Sequence, residues 1–158
     1  MRKIYLNRIS NLHQKMTEHE LSAIYITNLT NIRYLTGFTG SAGSLLVLPE
    51  KQIFITDGRY IEQSKNQVKE CEIIITNESH LSAIKKEKLL HNMASLAFEG
   101  HHVSFTQYEL IKITFPNIKL IKTEMIVEYI SAVKDDSEIE ALKTAVEITD
   151  QVFLDIIP

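Results

Sequence analysis

Two short strings bring together side chains and backbone freedom that chemistry could use. Thr56-Asp57-Gly58-Arg59-Tyr60 sets a carboxylate, a guanidinium and a phenol side by side. Asp57 is suited to cap a helix beginning at Arg59, with Gly58 relaxing the turn. Arg59 and Tyr60 then fall on the first helical turn after a strand, at the sheet edge where α/β proteins tend to bind ligands. The cap and a ligand-facing role for Arg59 are compatible. Upstream, Gly37-Phe38-Thr39-Gly40-Ser41-Ala42-Gly43 is punctuated by glycine. Its spacing is neither GxGxxG nor a P-loop, and it leads into a strand, so the usual phosphate cradle is missing. The plainer reading is a tight turn with special backbone angles.

Other candidates supply less. Ser41 immediately follows Gly40, which is not the nucleophile-elbow arrangement, and no base is placed for it. Cys71 lies in an apolar run, where thiols pack more often than they react. The 6 histidines form no HExxH and no i, i+4 pair, and the adjacent His101-His102 project in different directions. Asp135-Asp136 precede a helix, where carboxylates favour the dipole. Lys85-Lys86-Glu87-Lys88 lacks interleaved aromatics and reads as a solvated helix face. The residues suggest no metal site and no catalytic residue in this chain.

The elements that must position these strings follow from periodicity. Tyr5, Ile9, Leu12 and Met16 share one helical face. Leu21–Ile26 reads as a buried strand, Asn28–Asn31 as a helix start, and Ser44–Leu48 with Gln52–Thr56 as a hairpin. A helix from Arg59 to about Gln67, a strand at Cys71–Thr76 and a helix at Ser79–Asn92 come next. Ser95–Glu99 is a strand, Thr106 caps a helix running to Ile113, and Ile118–Ile121 is the last strand. Alternating strands and helices predict an α/β sheet, made mixed by the hairpin. Ser137-Glu138-Ile139-Glu140 has a capping-box pattern, opening a final helix with Ile139, Leu142, Val146, Thr149, Phe153 and Ile156 at threes and fours. Its apolar end predicts packing on something further along the chain, or a fold back onto its own domain.

The whole chain has 158 residues, 44% hydrophobic and 23% charged, with 5 Gly, 3 Pro and one cysteine. Those values fit one globular domain with a filled core and exclude disordered or fibrous classes. No apolar run approaches the roughly 20 residues of a membrane helix, and the charged start is unlike a secretory signal. The lone cysteine suits a reducing cytoplasm. A net charge of −3 lacks the basic footprint of a nucleic-acid binder.

Asn31-Ile32-Arg33-Tyr34-Leu35-Thr36-Gly37-Phe38-Thr39-Gly40-Ser41-Ala42-Gly43, followed by Phe54-Ile55-Thr56-Asp57-Gly58-Arg59-Tyr60, resembles the N-terminal domain of Xaa-Pro aminopeptidases and prolidases. The opening helix with Arg8, Leu12 and Met16, the Ala23–Ile26 strand and Val133-Lys134-Asp135-Asp136-Ser137-Glu138-Ile139 are similar in order and spacing. The resemblance implies an RNase-H-like mixed sheet of about six strands over residues 1–133, the creatinase/prolidase N-terminal fold. Residues 134–158 would then be a linker helix to a second domain of pita-bread fold. In the family that domain supplies two aspartates, one histidine and two glutamates to two divalent metal ions (manganese, cobalt or zinc). The resemblance further implies a cytoplasmic homodimer that hydrolyses the bond before proline in peptides, this part being inactive alone. At the substrate entrance it points to Phe38 as an apolar lip, Arg59 with Tyr60 beside it as an anchor for a substrate carboxylate or a neighbouring acid, and Arg33 as a weaker candidate. Some relatives keep the fold only for peptide or protein recognition, which is the alternative role.

Overall fold

The computed structural model describes residues 2–157. Its elements, in chain order, are α1 (Arg2–Glu18), β1 (Ile24–Ile26), α2 (Leu29–Thr36), β2 (Ser44–Val47), β3 (Gln52–Thr56), a 3-10 turn (Gly58–Tyr60), α3 (Ile61–Gln67), β4 (Glu72–Ile75), α4 (His80–Lys86), β5 (Ser95–Glu99), α5 (Phe105–Thr114), β6 (Lys119–Thr123), α6 (Ile126–Ala132) and α7 (Asp136–Ile156). The strands form one sheet in the order β4-β3-β2-β1-β5-β6. β2 runs antiparallel to both neighbours, and every other pairing is parallel. The expected mixed α/β sheet of six strands is therefore present.

Side-chain alternation divides the core between the two faces of that sheet. Ile24, Ile26, Leu45, Val47 and Phe54 pack with Leu12, Met16, Ile32 and Leu35 of α1 and α2. Tyr25, Leu46, Ile53, Ile55 and Leu96 pack with Ile84 of α4 and Ile111 of α5. Both faces being covered, the central strands read as continuous apolar runs, as expected for a largely parallel sheet. The hairpin closes with Leu48 N–H donating to the Lys51 carbonyl at 2.9 Å, which sets Leu45 opposite Phe54.

Several boundaries differ from expectation. α4 ends at Lys86 because Lys88 takes a left-handed backbone, φ 52°, and Leu89 N–H returns to the Ile84 carbonyl at 3.1 Å. Leu90 still packs in the core, but from the loop. α5 is capped by Ser104, which exchanges hydrogen bonds with Gln107, so Thr106 lies inside the first turn. The α7 capping box is Asp135 with Glu138, two residues ahead of the expected Ser137. Arg59 and Tyr60 occupy a 3-10 turn, and α3 begins after them at Ile61. The unexpected α6 inserts Ile126, Val127 and Ile130 into the core beside α1.

Candidate functional site

Since β2 alone is reversed, the C-terminal ends of β1, β3, β4, β5 and β6 share one edge with the start of β2. The Gly37–Gly43 loop and the Asp57–Tyr60 turn meet there. Gly37 caps α2 at φ 83°, with its N–H on the Arg33 carbonyl at 2.8 Å. A Cβ at this position would stand 2.8 Å from the Tyr5 hydroxyl, so glycine is required twice over. Beyond it, Thr39 N–H donates to Gln67 Oε1 at 2.9 Å and Thr56 Oγ1 donates to the Ala42 carbonyl at 2.6 Å. Ser41 Oγ and Tyr60 OH lie 2.7 Å apart. The loop is pinned along its length to β3, α3 and the turn.

Phe38 is 1% exposed. Its ring stands 4.6 Å from Phe54 and 5.4 Å, edge on, from Tyr60. That position corrects the expectation of an apolar lip: the ring is the floor beneath the loop, held there by aromatic packing. Tyr60 rests on this floor, and hydrogen bonds from Ser41 lower its phenol pKa. Asp57 accepts Arg59 N–H at 3.0 Å as the sequence suggests. It also receives Arg59 Nε at 2.9 Å and Nη2 at 2.8 Å. These bonds hold the Asp57 carboxyl at about 2. The Arg59 side chain is 70% exposed, so the pair forms a charged rim with its ion pair already made to a neighbouring acid. Arg33 is exposed and lines a cavity of about 570 Å³ that Gly37 and Thr39 of the loop share with Tyr5, Arg8, Tyr34 and Glu138.

Sequence reasoning missed a buried carboxylate at the same edge. The chain leaves β1 toward β2 but leaves β5 toward β6, so the adjacent ends of β1 and β5 are the topological switch point where ligands bind in such sheets. Glu99, 3% exposed, fills that place. It accepts Thr27 N–H at 2.7 Å, Asn28 N–H at 2.8 Å and Asn31 Nδ2 at 2.7 Å. Asn31 Nδ2 also reaches Glu128 Oε1 at 2.7 Å, and His101 Nε2 lies 3.0 Å from the same oxygen. Burial pushes the Glu128 carboxyl up, but the bonds from Asn31 and His101 outweigh it and leave the pKa below the ordinary value. A buried carboxyl group with this many donors anchors the start of α2. No sequence signal links Glu99 to residues some seventy positions earlier.

The arrangement offers shape and charge more than reaction chemistry. Ser41 has a phenol as its partner, not a base. Burial, with Glu70 adding to it, pushes the Cys71 thiol up to about 12, far from a reactive thiolate. Among the described residues, no group of three or more His, Cys, Asp or Glu side chains is placed to hold a metal ion. The final helix is the other unusual feature. Every residue from Ile139 to Ile157 is exposed, including Leu142, Val146, Ile148, Phe153 and Leu154.

The chain is 35% identical over 133 residues to the uncharacterized peptidase YqhT of Bacillus subtilis, covering 84% of this chain and 38% of that protein. It superposes on a Xaa-Pro dipeptidase from Bacillus anthracis with TM-score 0.89 and 31% identity, covering 96% of this chain and 42% of that one. A Xaa-Pro aminopeptidase structure from Streptococcus pyogenes aligns at TM-score 0.76 and 30% identity, covering 82% of this chain and 99% of the other. The chain thus spans about two fifths of the curated relatives it matches. Residues 8–132 match the creatinase/prolidase N-terminal domain, and the chain belongs to that family.

Proposed function

We propose that this chain is the N-terminal, non-catalytic part of a metal-dependent Xaa-Pro peptidase that works as a cytoplasmic homodimer. The observation that carries the reading is α7, which ends a complete α/β body with an apolar face that nothing in that body covers. A catalytic domain following α7 supplies the cover and accounts for the length of the relatives. Two divalent ions, manganese, cobalt or zinc, would supply an activated water and a polarised carbonyl for cleavage before proline. The described residues gather no ligand set for such ions, so in this reading the following domain holds them.

The residues of this chain act on access and shape. The loop, floored by Phe38 and buttressed by Tyr60, forms a stiff wall of the substrate entrance. Asp57 orients Arg59, and the exposed guanidinium meets the carboxylate of an arriving proline-containing peptide. A substrate carboxylate then competes with Asp57 for the same fork, which makes Arg59 a binding and not a chemical residue. In the intact enzyme, Arg59→Ala raises KM about tenfold or more with kcat little changed. Unchanged KM and kcat would overturn this role. The parent itself is tested by the mass of the native gene product, detected with an antibody raised against this chain. A product at about twice this mass or more fits the two-domain reading. A product at 18.1 kDa would leave only a recognition role for the domain.

A further inference from the structure

Arg8 stands where α1, α2 and the root of α7 meet, with its side chain 12% exposed. Its Nε and Nη2 donate to Asp135 Oδ2 at 3.2 and 2.6 Å. Nη1 donates to the Tyr34 carbonyl at 2.8 Å, and the guanidinium carbon lies 4.2 Å over the Tyr34 ring. Glu138 Oε2 is 3.4 Å from Nη2. Tyr34 belongs to α2, just ahead of Gly37 and the loop. Asp135 divides its oxygens: Oδ1 accepts Glu138 N–H at 3.0 Å and so caps α7, while Oδ2 is held by Arg8. The nearby Lys134 ammonium is turned away onto the Ser131 carbonyl. One planar cation therefore joins the helix that enters the loop to the helix that leaves the domain.

The consequence follows from leverage. Beyond Glu138 all of α7 is exposed, so its direction is set at its first turn. A helix of 21 residues is about 32 Å long, and a tilt of about 10° at the root displaces the far end by about 5 Å. We propose that Arg8 is a positioning residue that fixes the direction in which α7 leaves the sheet relative to the Gly37–Gly43 loop. Through α7 it sets where the following domain stands against that loop, a consequence that rests on the peptidase reading. Lysine is a poor substitute, because its one nitrogen cannot reproduce the planar spread of N–H groups by which Nε and Nη2 meet Asp135 and Nη1 meets the Tyr34 carbonyl while the plane stacks on the Tyr34 ring.

The test uses this chain with spin labels at Glu50→Cys and Asp150→Cys, both exposed, in a Cys71→Ala background, reading label separation well below the melting temperature. With Arg8 present the distance distribution is narrow. Arg8→Gln broadens it by several ångström, and Asp135→Asn does the same because its single amide oxygen cannot both receive Arg8 and cap α7. Arg8→Lys gives the reading should Arg8→Gln not fold. Leu12→Ala, which weakens the core without touching the clamp, lowers the melting temperature and leaves the distribution narrow. A distribution unchanged in Arg8→Gln, or in Arg8→Lys in its stead, overturns the proposal. The distances require no catalysis, so a parent inactive on Xaa-Pro peptides would sink the functional reading and leave this result standing.

Discussion

The sheet body and α7 treat apolar surface and charge in opposite ways. In the body, Phe54 is fully buried and the Glu99 carboxylate has donors on both oxygens. On α7, Leu142 is 53% and Phe153 62% exposed, and beyond the first turn Lys143 pairs with Glu140 and Gln151 donates to Asp155, both within the helix. The contrast teaches where function resides. The body buries its apolar side chains and offers a charged rim at one sheet edge, whereas α7 leaves an apolar face open. Under the proposed function the body shapes the approach to a site, and α7 joins it to that site.

The contrast can be broken most forcefully in the core. Phe54→Ala should cost about 3–5 kcal/mol in urea unfolding, whereas Phe153→Ala in this chain should stay within about 0.5 kcal/mol. A large loss at Phe153 would show that α7 is already packed. Next in size is Glu99→Ala, which strands Thr27 N–H, Asn28 N–H and the Asn31 amide and should cost about 3 kcal/mol. Gly37→Ala meets both a left-handed backbone and the Tyr5 hydroxyl, so a loss of about 1–2 kcal/mol is expected. The smallest effect is on pH. Asp57 has a folded pKa of about 2, below its unfolded value near 3.9. Its contribution is present in full above the unfolded value and is lost as pH falls from about 4 through about 2. Asp135 behaves in the same sense: burial pushes its carboxyl up, but bonds from Ser137, Arg8 and Glu138 N–H prevail and hold it below the usual carboxylate range. Acid titration of Asp57→Asn should show a shallower loss of stability than the unaltered chain across that window. Equal slopes would contradict the Asp57–Arg59 geometry.

What was legible in the sequence was mostly local. The Asp57 cap spans two residues, the Ser44–Thr56 hairpin has one tight turn, and the α1 face repeats at threes and fours. Features decided by competition or distance were not. Asp135 and Ser137 are both good caps, and Arg8, 127 residues earlier, supports the former. The apolar period of α4 runs past Lys86, but the left-handed Lys88 ends the helix. α6 is seven residues long, with no glycine or proline to mark it. Phe38, flanked by Gly37 and near Gly40, has the look of a surface aromatic, yet Phe54 and Tyr60 enclose it. Glu99 is an ordinary strand-end glutamate until Asn31 is folded against it.

The central claim is that peptidase activity belongs to the parent and not to this chain. Hydrolysis of a Xaa-Pro dipeptide and a Xaa-Pro-Yaa tripeptide, with added manganese, should be measured for the 158-residue chain and for the native gene product side by side. The native product is predicted to cleave the Xaa-Pro bond of one or both substrates, and the 158-residue chain to cleave neither. Cleavage by the chain alone, or none by the native product, would contradict that claim.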